Sequence, residues 1–190
     1  MAADFAAARE NMLDSQIRTA DVTNLAIQDA IRQVRRETLL PGSKAFAAYA
    51  DAEIEYSSGR FLMRPRDVAK LLQALHPEAG QRALAIAAPY AAAVLEQMGL
   101  TVERLDDDGL KVAQADQFDL VISEGAVSAT PDDWTASLRM HGRLGIVVRN
   151  GPIGRAMLYM RSQEGIGVRS LFESSAVCLP GFEPKAAFVF

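Results

Sequence analysis

The chain is poor in the residues that build metal and redox centres. It has one cysteine, Cys178, and two histidines, His76 and His141, among 190 residues. A single thiol excludes an internal disulfide and any multi-cysteine metal cluster, and two imidazoles cannot make a three-histidine site. Long apolar runs are missing too. The longest stretch without a charge, Ala83 to Leu95, covers 13 residues, against the roughly 20 that cross a bilayer. There is no excess of positive charge: 20 Lys and Arg against 24 Asp and Glu leave a net charge of −4, which speaks against nucleic acid as a partner. The first residues carry Asp4, Arg9 and Glu10 where a signal peptide carries an apolar core. The expectation is a cytoplasmic protein in a reducing compartment, without metal, membrane or nucleic acid.

What is present suits a packed globular chain, with 49% hydrophobic and 23% charged residues, and the length suits one domain over 1–190. Residues 1–64 read as a helical segment. A first helix is expected from Phe5 to about Ile17. A second carries Ile27, Ala30, Ile31 and Val34 on one face, with Asp21, Thr23 and Asn24 placed to cap it. Leu40-Pro41-Gly42-Ser43 breaks the pattern. From Pro65 to about residue 150 helices alternate with strands. Pro65 opens a helix with Val68, Leu71, Leu72 and Leu75 on one face, ended by His76-Pro77. A strand Ala83–Ala87, a helix Pro89–Met98 and strands Leu100–Leu105 and Phe118–Ser123 follow. Thr130-Pro131 then starts a helix carrying Trp134 and Leu138, and Leu144–Val148 is a further strand. Residues 151–190 read as an antiparallel tail, a hairpin around Gln163-Glu164-Gly165 and a last strand Ala187–Phe190. The fold class implied is α/β, a parallel sheet with an antiparallel edge.

Phe118-Asp119-Leu120-Val121-Ile122-Ser123-Glu124-Gly125-Ala126, then Thr130-Pro131, then Leu138-Arg139-Met140-His141-Gly142-Arg143-Leu144 resembles the protein-L-isoaspartate O-methyltransferase family. Asp14-Ser15-Gln16-Ile17-Arg18-Thr19, Gly59-Arg60-Phe61-Leu62 with Pro65, and Gly154-Arg155-Ala156 with Leu158-Tyr159 look like a divergent bacterial branch of it. The resemblance runs from about residue 11 to the end. It implies the Rossmann-like sheet of S-adenosylmethionine-dependent methyltransferases and methylation of isoaspartyl carboxylates.

Methyl transfer from a sulfonium needs positioning more than acid–base help, so the cofactor positions decide whether the activity is kept. The family pattern is acid-x-Gly-x-Gly-x-Gly, a turn whose bare backbone approaches the ligand closely. Here the turn reads Ala85-Ile86-Ala87-Ala88-Pro89-Tyr90, about two residues short, and Pro89 has no N–H to donate. Only twelve residues, Asp106 to Gln117, separate two strands between which the family places a helix, a strand and a helix. The sheet is therefore expected to be shortened by one strand, with the strand ending at Leu105 at or next to a sheet edge. The positions corresponding to cofactor contacts are Ala87, Tyr90, Glu103 and Glu124, with Asp106 competing with Glu103 for the ribose. The family's substrate-side serine falls on Met63.

Gln16, Arg18, Thr19, Arg60 and Arg64 are candidates for an altered substrate or peptide groove, the arginines through bidentate contact with carboxylates. For that groove to exist, Arg18, Arg60 and Arg64 must converge on one concavity. Arg32, Arg35 and Arg36 read as a solvent face, and Asp106-Asp107-Asp108-Gly109 as an acidic turn without calcium-loop spacing. No catalytic residue is assigned. The expectation is a pseudoenzyme of this family, holding no cofactor and acting through protein or peptide binding or as a homodimer. The alternative is an active S-adenosylmethionine-dependent isoaspartyl methyltransferase with a minimal pocket.

Overall fold

The computed structural model describes residues 4–107 and 109–184. Helix α1 (Phe5–Met12) is capped by Asp4, whose carboxylate accepts from the Ala7 N–H at 3.0 Å. It does not run on as an α-helix to Ile17. Residues Leu13–Ile17 widen into a π turn and Arg18–Ala20 tighten into a 3₁₀ turn. The hydroxyls of Ser15 and Thr19 bond back to the carbonyls of Asn11 and Ser15, a competition with the regular ladder. Helix α2 (Leu25–Gln33) is capped by Asn24, from the three candidates.

The segment 1–64, expected to be helical, contains a small hairpin, β1 (Ile54–Ser57) and β2 (Arg60–Leu62), turning at Gly59 with φ +69°. Helix α3 (Pro65–Leu75) follows with Pro65 in its first turn, and Val68, Leu71, Leu72 and Leu75 are all buried. Beyond it lie β3 (Arg82–Ile86), α4 (Pro89–Gln97), β4 (Thr101–Leu105), β5 (Phe118–Val127), α5 (Asp132–Ala136), β6 (Leu138–Val148), β7 (Gly154–Ser162) and β8 (Gly165–Ser174). The helix α5 begins one residue after Pro131 and has only five residues. Leu138, expected on it, opens β6 instead and pairs with Phe118. The strand expected at Ala187–Phe190 lies outside the described residues.

The six strands are ordered β4-β3-β5-β6-β7-β8. Pairs from β4 to β6 are parallel, and β6–β7 and β7–β8 are antiparallel. Strand β4 is an edge, as the short 106–117 connection implied. Among the described residues of that connection there is no strand. It folds back over the sheet: the Trp134 indole donates to the Leu110 carbonyl at 2.9 Å and the Val112 N–H to Asp133 at 2.8 Å. One sheet face packs on α3, α4 and the N-terminal helices. The other packs on α5, this connection and Leu179.

Candidate functional site

In an open α/β sheet, ligands enter where the strand order reverses, outside the carboxyl ends of the strands. Here the chain leaves β3 for β4 on one side and returns to β5 on the other. The crevice therefore belongs between the ends of β3 and β5. Ala87 follows β3 in the left-handed region at φ +45°, a conformation natural to glycine and costing other residues about 1–2 kcal/mol. Its N–H donates to the Leu105 carbonyl at 2.8 Å. Ala87 and Ala88 are both buried. The backbone keeps the turn a glycine would favour, with methyl groups filling it.

Helix α4 starts at once, and its first free N–H groups find a partner inside the protein. Tyr90 and Ala91 both donate to one oxygen of Glu124, each at 2.7 Å, and the Met63 N–H donates to the other at 3.3 Å. Glu124 sits on β5 and is fully buried. Burial pushes its carboxyl up from the ordinary range, while Arg36 and the three N–H donors oppose that shift. Arg36, read from sequence as solvent-facing, is fully buried. It donates to the carbonyls of Ala48 and Met63 at 2.8 and 2.6 Å and stacks 4.4 Å from the centre of the Tyr90 ring. Burial lowers its pKa. The Tyr90 hydroxyl, its pKa raised by burial, and one Arg36 nitrogen have no partner among the described residues.

The hairpin lies over this arrangement. Tyr56 donates to the Ala87 carbonyl at 3.4 Å, and Arg60 donates to the carbonyls of Asp106 and Asp107 at 2.7 and 2.6 Å. The tail adds a second cover: Leu179 donates to the Ala126 carbonyl, and Ala126 donates to Val177. Gly125, at φ +142°, leaves the room that Leu179 takes.

The structure thus gathers three of the four positions named for the cofactor: Ala87, Tyr90 and Glu124. It does not gather the fourth. Glu103 is exposed in mid-strand beside Leu84, and Asp106, just past the end of β4, is nearer the crevice. The groove candidates are dispersed, and two of the three guanidiniums are engaged locally. Arg18 pairs with Asp14 and donates to Gln28 at 3.0 Å, Arg60 holds the end of β4, and Arg64 immediately precedes α3, its charge opposing the rise that burial gives the pKa of Glu53 and Asp67. The expected convergence of the three arginines does not occur. Gln16 and Thr19 instead line a cavity of about 460 Å³ with Asp51, Arg66 and Lys70.

The sheet, with its reversed strand order and antiparallel edge, defines an α/β protein of the methyltransferase class. A structure described as a protein-L-isoaspartate O-methyltransferase from Plasmodium falciparum, in complex with S-adenosyl-L-homocysteine, superposes with TM-score 0.73 at 16% identity, covering 90% of this chain and 97% of that one. A second solved protein-L-isoaspartate O-methyltransferase gives 0.68 at 16% identity, covering 93% of this chain and 67% of that one. No family model matches the sequence. Curated relatives do. The protein-L-isoaspartate O-methyltransferase of Methylorubrum extorquens is 32% identical, covering 90% of this chain and 85% of the relative. That of Methylorubrum populi is also 32% identical, covering 84% and 87%. The chain belongs to the protein-L-isoaspartate O-methyltransferase family.

Proposed function

We propose that this family member no longer holds S-adenosylmethionine and acts without catalysis, through binding a protein or peptide or through self-association. The observation that carries the reading is Glu124. Its carboxylate takes the N–H groups of Tyr90 and Ala91 at the start of α4, where the fold would present them to a ligand's anionic group. The neighbouring residues fit the cofactor no better. Ala87 and Ala88 fill the turn, the hairpin bonds across it, and Glu103 stands away from it. A second reading, an active isoaspartyl methyltransferase, is favoured by the 32% identity to enzymes over most of the chain.

Thermal unfolding with S-adenosylmethionine or S-adenosylhomocysteine separates the two. A ligand at 100 times its dissociation constant stabilises by about 2.7 kcal/mol, which for a chain of this size is a shift of roughly 5–10 °C. We expect no shift at millimolar cofactor. Ala87→Gly is expected to raise stability by about 1 kcal/mol by relieving the left-handed alanine, still without cofactor binding. A saturable shift of several degrees in the wild type returns the protein to the enzymes.

A further inference from the structure

Among the described residues the six-stranded sheet ends at β4 and β8, and these two edges are built differently. Strand β4 has five residues and carries Glu103 and Arg104, with Arg104 held by both oxygens of Glu96 at 2.8–2.9 Å. Arg60 covers its end. Short, charged and capped edges resist pairing. Strand β8 has ten residues and no proline, and its first six, Gly165–Ser170, are all exposed. Ile166 and Val168 there are 41% and 54% exposed. The rest of the strand is partly covered, Leu171 and Phe172 facing Asp21, Asn24 and Gln73.

We propose that Gly165–Arg169 pairs with the same segment of a second copy, antiparallel, about a twofold axis through Gly167. The register follows from the side chains. A twofold perpendicular to the sheet preserves its faces, and side chains alternate between faces, so the axis must pass through a residue. At Gly167 it sets Ile166 opposite the partner's Val168, twice, and places Arg169 beside the partner's Gly165, one residue from the partner's Glu164. An axis at Ile166 would set Val168 against that glutamate. An axis at Val168 would carry Arg169 away from it. A side chain at Gly167 itself would meet only the Met160 carbonyl, at 3.9 Å, so the axis is not crowded. A ladder of five residues, Gly165–Arg169, is a small interface beside the roughly 1,600 Å² of a standard one, and the dimer is accordingly concentration-dependent. The inference is independent of whether cofactor binds.

Sedimentation equilibrium over about 1 µM to 1 mM protein tests it. The mass is expected to rise from 20.6 kDa toward twice that in the wild type and in Val168→Ile, and to stay monomeric in Val168→Lys. Directly opposed residues in an antiparallel pair have Cα atoms about 4.5–5.5 Å apart, within disulfide reach. Gly167→Cys in a Cys178→Ser background should therefore cross-link on mild oxidation, and Thr101→Cys on the other edge should not. A wild type that stays monomeric throughout, a dimer that survives Val168→Lys, or Gly167→Cys cross-linking no faster than Thr101→Cys overturns the proposal.

Discussion

A carboxylate removed from water is held by the donors it finds, and Glu124 finds three backbone N–H groups with Arg36 nearby. Removing one member of such a buried set leaves the other charge uncompensated, at about 3–5 kcal/mol. Glu124→Ala is expected to lower urea-measured stability by that amount. In Glu124→Ala/Arg36→Met the loss should be smaller than the sum of the single losses, by about 0.5–3 kcal/mol. Strictly additive losses would show that the two side chains do not act as a unit. Sequence alone could not pair these residues. Arg36 follows Arg32 and Arg35, which are partly or largely exposed, and reads as a third member of a wet face. Its burial comes from the 3₁₀ turn Arg36–Leu39, which redirects the side chain beneath α4. The one available signal was Glu124 itself, an acid next to the apolar run Leu120-Val121-Ile122.

At the scale of elements, the periodic ones were legible. The Pro65 start and the four-residue apolar face of α3 are long enough for the helical period to show, and the structure repeats them residue for residue. The hairpin of β1 and β2 was not, because strands of four and three residues are too short to display alternation. Leu138 misled for a related reason: its spacing from Trp134 is helical, but α5 stops at Ala136. The hairpin carries Tyr56, Arg60 and the turn at Gly59. A β-carbon at Gly59 would be 3.0 Å from the Pro180 ring, on a backbone at φ +69°. Gly59→Ala is therefore expected to cost about 1–2 kcal/mol and to speed hydrogen exchange at Met63. Unchanged exchange at Met63 would separate the hairpin's fit from the cover over β3 and β5.

For the whole molecule, the order of elements predicted the sheet because short crossovers leave few ways to wind parallel strands. The edge position of β4 followed from the resemblance and the chain length together, since twelve residues cannot make the helix, strand and helix that the family places there. The contacts gathered on Glu124 were not legible, because they depend on residues far apart in the chain meeting at one point. The bonds from Met63 and Tyr90 to Glu124 span 61 and 34 positions. Contacts of that separation are late and slow to form. While the chain is being synthesised, α4 emerges with its first N–H groups unpaired, and residues 54–63 have nothing to close over until β5 has left the ribosome. The N-terminal third is thus made first and finished last. Pulse-labelled exchange during refolding should protect the amides of Leu84, Val121, Tyr90 and Ala91 before that of Met63, although Met63 is made first.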